Sequence, residues 1–254
     1  LGRRVSGVTT SGKAMRYLPS HEELQSLKDA AISEVRRRAK YIVIDLDQGL
    51  HLLLHLGMTG NLGFFSKDTP TQRPDHLCFL LDDGMELRLN DTRRFGGAWI
   101  TDQEGLSTFF ADLGPEPLGD DFSPAYMAKI AAGRKAAVKN LLMDNRVVVG
   151  IGNIYACEAL HGAGIHPARR AGEVSASEWA ALVAAAKEVL AAGIKNGGTT
   201  ISDYRNSDGM PGYFQNRLMV YGQKECRKCG GEISRIVLGG RASFFCPACQ
   251  EPEP

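Results

Sequence analysis

The chain has 254 residues and a mass of 27.5 kDa, room for one large domain or two ordinary ones, with enough chain to build a core without staples. Hydrophobic residues make up 43% and charged residues 23%, with 29 glycines and 11 prolines, which excludes disordered, collagen-like and coiled-coil classes. No apolar run approaches the roughly 18–20 residues that span a bilayer, and no apolar signal core follows Leu1-Gly2-Arg3-Arg4, so a cytoplasmic protein without a membrane segment is expected.

The first hundred residues read mostly as strands. Residues 41–46, 50–56, 77–81 and 86–89 are short apolar runs, with Asp47-Gln48-Gly49 and Asp82-Asp83-Gly84 as turns. One helix is predicted at 21–32, opened by a capping box of Ser20 and Glu23. Leu113-Gly-Pro-Glu-Pro-Leu-Gly-Asp-Asp121 is rigid, acidic and turn-rich, and reads as an interdomain linker. Beyond it the pattern turns helical: Ser123-Pro124 suits an N-cap with proline at the first helical position. Helical periods follow over 134–144 and 153–162. A long helix at 176–195 opens with a second capping box, Ser175 and Glu178, and ends at Gly197-Gly198.

The formal net charge is +1, but it is unevenly spread. Residues 1–40 carry nine Lys/Arg against four acids and residues 210–250 six against two, while 101–130 holds six acids and Lys129 alone. Two basic regions suit the two sides of a polyanion-binding cleft; as solvated faces they would carry no such meaning.

The strongest chemical signal is Cys226-x2-Cys229-x16-Cys246-x2-Cys249. Two CxxC knuckles at this spacing fit a tetrahedral four-cysteine zinc site, with one zinc ion as the expected cofactor. Paired disulfides or redox motifs are the alternative, disfavoured without a secretion signal. Between the knuckles the chain alternates like a hairpin bent at Gly239-Gly240. Arg241 follows the bend, placed either to fork onto phosphate or simply to sit in solvent. Gly150-Ile-Gly152-Asn153 opens a helix whose free amides suit an anion, with Asn153 as N-cap, phosphate ligand or both.

Asn90-Asp-Thr-Arg-Arg-Phe-Gly-Gly97 sets two guanidiniums beside an aromatic ring. Arginine plus an apolar wedge is what proteins insert into duplex DNA where a nucleotide is extruded; the alternative is a surface Arg–Asp pair with Phe95 in the core. Lys40 leads directly into a strand. His51 and His55, four apart, share a face, where phosphate contact or polar packing is favoured over metal. Cys78 and Cys157 are expected to be inert buried thiols.

In combination these motifs resemble the formamidopyrimidine-DNA glycosylase family, bacterial base-excision enzymes of the helix–two-turn–helix superfamily. The resemblance runs essentially from residue 1 to 250. It rests on Arg38-Ala-Lys-Tyr41, His55-Leu-Gly-Met-Thr-Gly60, Asp91-Thr-Arg-Arg-Phe-Gly96, Leu113-Gly-Pro-Glu-Pro-Leu118, Leu142-Met-Asp-Asn145, Gly150-Ile-Gly-Asn-Ile-Tyr155, Gly197-Gly-Thr-Thr200, Asp208-Gly-Met-Pro-Gly-Tyr-Phe214 and the cysteine finger. It implies an α+β multi-domain fold: an N-terminal antiparallel β-sandwich with helices over 1–116, a linker at 117–122, a helix–two-turn–helix DNA-binding domain over 123–218 and a zinc-finger β-hairpin over 219–254.

The resemblance also implies residue roles. Lys40 matches the lysine tied to DNA binding and β-elimination, Arg241 the finger arginine that grips phosphate and aids the δ step, and Asn153 a phosphate ligand. Met58, Arg93 and Phe95 match the three residues that fill the gap left by the flipped base. His55, His76, Arg94, Arg134 and Lys135 match further backbone contacts, and the loop 197–217 matches the one that covers the extruded purine. The implied activity is that of a bifunctional glycosylase and AP lyase, acting as a monomer on double-stranded DNA with oxidised bases or abasic sites. The family opens with proline and glutamate, whose secondary amine attacks the sugar C1′. Leu1-Gly-Arg-Arg-Val5 looks like a stretch roughly fifteen residues further on, so a chain without its nucleophile, largely inactive by itself, is expected. The alternatives are an endonuclease VIII-like pyrimidine glycosylase, a non-catalytic lesion binder, or a zinc-ribbon interaction module.

Overall fold

The computed structural model describes residues 1–72, 74–200 and 210–251. They group into two compact units: Leu1–Ala111, joined by Thr200 and 210–212, and Asp112–Thr199 with 213 onward.

The first unit holds two four-stranded antiparallel sheets. One has the order β1 (Val5–Thr10), β6 (Asp75–Leu81), β7 (Met85–Asp91), β5 (Gly60–Ser66); the other β2 (Ile32–Arg38), β3 (Tyr41–Leu46), β4 (His51–His55), β8 (Gly97–Thr101). Val5, Phe79, Leu87 and Leu89 of the first sheet and Ile32, Ile44, Leu52 and Leu54 of the second share one buried cluster, so the sheets pack face to face as a sandwich. The second sheet is covered behind as well. Val43 and Leu53 meet Leu106 and Phe110 of helix α2 (Gln103–Phe110), which is why β4 is apolar without alternation. The helix expected at 21–32 is shorter. Its capping box forms, but α1 spans only His21–Gln25; Asp29 turns with a positive φ of 65°, and Ile32 already begins β2.

The second unit is helical: α3 (Pro124–Ala131), α4 (Val138–Leu142), α5 (Asn153–Ala163) and α6 (Ala176–Lys195). Ser123 caps α3 through the Tyr126 amide with Pro124 in the first turn, and Ser175 and Glu178 form the expected box on α6. The helix expected from 134 starts only at Val138, because Gly133 at φ 70° ends the preceding turn and Ala137 bridges to Arg170 in extended form. Residues 113–121 are not a free linker. The Gly114 amide donates to the Asn145 carbonyl and the Val149 amide to the Pro115 carbonyl, and a Cβ on Gly114 would stand 2.5 Å from the Val147 backbone. The stretch is packed on the turns between α4 and α5, and the two compact units divide after Ala111.

The finger packs within this unit. Its hairpin, β9 (Ser234–Leu238) and β10 (Arg241–Phe245), contacts α5, and the buried Gln250 amide donates to the Ile165 carbonyl at 2.8 Å. Among the described residues no helix is long and apolar enough to cross a membrane.

Candidate nucleic-acid interface

In the first unit two turns interlock. The turn between β4 and β5 carries Met58, and the turn after β7 carries Arg93, Arg94 and Phe95. A Cβ on Gly57 would lie 2.6 Å from the Gly96 nitrogen, and one on Gly96 would lie 2.7 Å from the His55 carbonyl oxygen; only glycine allows the two backbones to touch. Met58 is 66% exposed and Phe95 46% exposed, which overturns the alternative of Phe95 in the core. The Arg93 guanidinium lies over the Phe95 ring, 4.8 Å from its centroid, so the cation and the wedge are held as one body.

Beneath them Asp91 is fully buried. Its carboxylate accepts from the Thr59 hydroxyl (2.5 Å), the Arg93 amide (3.2 Å) and the Gly96 amide (2.7 Å). His76 is also buried, its Nε2 donating to the Asp91 carbonyl at 3.0 Å and its Nδ1 accepting from Ser11 at 2.8 Å. It forms part of a surface depression lined by Lys13, Pro74, Thr92 and Arg94. Arg94 is exposed and sits at φ 58°, a left-handed conformation that costs a non-glycine residue about 1–2 kcal/mol.

Lys40 is exposed in the two-residue turn joining β2 to β3. The next residue, Tyr41, packs on the His55 ring at 4.9 Å. Burial first, then the Lys40 and Arg16 charges, hold His55 below the usual histidine range. His55 Nδ1 accepts from the Gly57 amide at 2.9 Å, so the neutral ring carries its proton on Nε2 and is a hydrogen-bond donor. His51 has a different fate: Nδ1 meets Asp45 at 2.5 Å, and Arg36 forks onto the same carboxylate at 2.6 and 3.0 Å. It is polar packing.

In the second unit Gly152, not Asn153, is the N-cap of α5, and it makes no side-chain cap bond. Asn153 is thereby free for other work. Its Oδ1 accepts from the fully buried Lys139 at 2.5 Å, and its Nδ2 donates to the Ala242 carbonyl at 2.9 Å. The residue thus links α4, the start of α5 and the finger hairpin at the position next to Arg241. Burial pulls the Lys139 pKa down, with Arg241 adding to this and Cys157 opposing it. The hairpin bend, Gly239-Gly240, has positive φ at both residues, the two-residue turn that matches strand twist. A Cβ on Gly239 would meet the Asn140 side chain at 2.9 Å, so the tip carrying exposed Arg241 is seated on α4. Arg134 and Lys135 are exposed on the loop before α4.

The four finger cysteines converge, their sulfurs all within 4.8 Å of one another. Separations of 4.0 Å (Cys226–Cys249) and 3.4 Å (Cys229–Cys246) bracket the roughly 3.8 Å edge of a ZnS4 tetrahedron. The Gly231 amide draws the Cys229 thiol down to about 7, whereas burial and then the neighbouring thiols push Cys249 up to about 12. Four thiolates so close require a cation to ionise together, and the donor set fits one zinc ion. His161 Nε2 lies 3.3 Å from the Cys226 sulfur as a supporting hydrogen bond.

Three family models match in chain order: the formamidopyrimidine-DNA glycosylase N-terminal domain over residues 1–98, its H2TH domain over 113–205, and the zinc finger found in FPG and IleRS over 223–252. The formamidopyrimidine-DNA glycosylase of Xanthomonas campestris pv. campestris is 48% identical over 253 residues, covering 98% of this chain and 93% of its own length. The chain belongs to the formamidopyrimidine-DNA glycosylase family. The Shewanella loihica glycosylase is 46% identical over the same shares. Among solved structures, a Lactococcus lactis Fpg mutant in complex with Fapy-dG-containing DNA superposes with a TM-score of 0.92 at 29% identity, covering 99% of this chain and 94% of that one. The same glycosylase with abasic-site DNA gives 0.91.

Sequence reasoning missed the glycosylase fold's buried supports: Asp91 and Thr59 under the two turns, Lys139 behind Asn153, and Glu158, whose carboxylate accepts the amides of Met219, Val220 and Tyr221 at 2.7–3.0 Å. A charged residue inside an otherwise apolar helical period was the available signal for Lys139 and Glu158. The expected purine-covering loop, 197–217, lies outside the described residues over 201–209.

Proposed function

We propose that the protein is a bifunctional DNA glycosylase and AP lyase of base-excision repair, removing oxidised purines such as 8-oxoguanine and formamidopyrimidines from duplex DNA. The carrying observation is the exposed trio Met58, Arg93 and Phe95 on two interlocked turns. An apolar wedge flanked by a guanidinium suits the space left when a nucleotide leaves the stack.

The other residues serve grip and chemistry. Lys40, neutral His55 through Nε2, Arg94, Arg134, Lys135 and Asn153 bind backbone phosphates, with His76 supporting the Arg94 depression. Arg241 grips a phosphate from the hairpin tip and aids δ-elimination, and Lys40 aids β-elimination. Zinc on Cys226, Cys229, Cys246 and Cys249 supplies folding free energy to the finger, and the finger in turn holds Arg241. The nucleophile of the reaction is an N-terminal proline amine, whose pKa near 8 leaves a usable neutral fraction. The protein works as a single copy in the bacterial cytoplasm.

The test uses residues 1–254 alone and the same residues preceded by a family-like segment opening Pro-Glu. A duplex containing 8-oxoguanine is offered to both, with borohydride to trap an imine. Excision and a trapped adduct from the second, and neither from the first, are expected. Lesion binding without an adduct in either form would leave a non-catalytic damage binder instead.

A further inference from the structure

We propose that Asp91, with Thr59, is a positioning residue that locks the Met58 turn and the Arg93–Phe95 turn into a single rigid wedge; this rests on the gap-filling reading of those three side chains. Neither residue touches DNA in this proposal. Asp91 is fully buried and Thr59 is half-buried behind the exposed trio.

The geometry is specific. The Thr59 hydroxyl donates to Asp91 Oδ1 at 2.5 Å and itself accepts from the Arg93 amide at 3.2 Å, so one hydroxyl belongs to both turns. Oδ1 also accepts from the Arg93 amide, and Oδ2 from the Gly96 amide at 2.7 Å. Asp91 therefore closes its own turn on both sides of Arg94 and Phe95 and ties it to the residue following Met58. The Gly57–Gly96 backbone contact brings the two turns into direct touch but supplies no directional bond; the carboxylate and hydroxyl supply that. Every donor to Asp91 is a neutral amide or hydroxyl, so the buried negative charge strengthens each bond without enlisting an arginine side chain that DNA needs. Arg94, the strained residue, lies inside the loop the carboxylate closes. A rigid wedge matters because extruding a base costs a few kcal/mol of stacking, recovered only if the filler enters already shaped. A loose pair of turns would have to order itself during that step.

The substitutions separate this from mere folding. Asp91→Asn keeps the shape but turns an NH2 toward a donor on one side. Thr59→Val removes the shared hydroxyl, and Thr59→Ser keeps it. The probe is a duplex with 2-aminopurine beside 8-oxoguanine, whose fluorescence rises on unstacking, read together with affinity for an undamaged duplex. Asp91→Asn and Thr59→Val are expected to cut the ratio of extruded to bound DNA about tenfold, with undamaged-duplex affinity unchanged and Thr59→Ser close to the original. Should Asp91→Asn fail to fold, the Val/Ser pair at position 59 carries the test. Full extrusion by Thr59→Val, or an equal loss of extrusion and of plain duplex affinity, overturns the proposal. If the unsubstituted protein produces no fluorescence rise, the gap-filling reading itself fails, and the clamp's function with it.

Discussion

Glu158 gives the most direct test of how the finger is held against the helical core. It lies on α5, buried, and its two oxygens accept three consecutive amides: Oε1 those of Val220 (3.0 Å) and Tyr221 (2.8 Å), Oε2 that of Met219 (2.7 Å). Those amides begin the segment that runs into Cys226, and the Tyr221 hydroxyl stands 3.5 Å from Asn153 Nδ2. In Glu158→Gln the side-chain oxygen can stay on Val220 and Tyr221, but the new NH2 then opposes the Met219 amide. One bond to a charged acceptor is lost, and two become neutral. Net values of about 1.5–3 kcal/mol for charged and 0.5–1.5 for neutral bonds give a cost of about 3.5–6 kcal/mol, or roughly 400-fold at the low end in a local opening constant. Amide hydrogen exchange at 219–221 reads that constant directly. Protection there should fall by roughly 400-fold or more while amides in the middle of α6, such as Val183, stay unchanged. A change below twofold at 219–221 would refute the assignment of those bonds as the finger's anchor.

Protein purified without chelator should contain one zinc per chain, and Cys246→Ser should lose the metal and finger order while the helical signal of the second unit persists; elemental analysis and circular dichroism check both. Lys40→Ala should lower the slope of log K against log salt by about 0.9, whereas Asn153→Ala should weaken duplex binding with the slope intact, measured by titration at several salt concentrations. His55 contributes a pH dependence of known sign. Its folded pKa is depressed, so the unfolded chain binds more protons near pH 6.5 and below. The stabilisation from its neutral burial is complete above about 6.5 and is lost as pH falls through the folded value. His55→Gln should flatten the urea-midpoint profile in that window; an unchanged profile would contradict the burial.

The sequence carried local chemistry well. Both capping boxes, the Ser123-Pro124 start, the strand runs and the CxxC spacing are determined within a few residues, and each appears where its own chemistry puts it. What stayed hidden depends on register between distant segments. Asp91 in the sequence is one more acid beside two arginines, and the obvious partner for it is an arginine. In the fold its carboxylate meets a hydroxyl 32 residues earlier and two amides of its own turn. Lys139 is likewise one lysine in a predicted helical stretch, and only the fold brings its ammonium to Asn153, 14 residues on. Residues 113–121 show the same dependence: prolines and glycines mark a turn, and Asn145 and Val147 are what hold it packed. These hidden residues share one physical character. Each is a buried polar group satisfied by backbone amides or by neutral side chains, and burial without partners would cost about 1–3 kcal/mol apiece. The surface groups that touch a ligand are therefore legible from residue type, while the groups that aim them become legible only when their hydrogen bonds are seen.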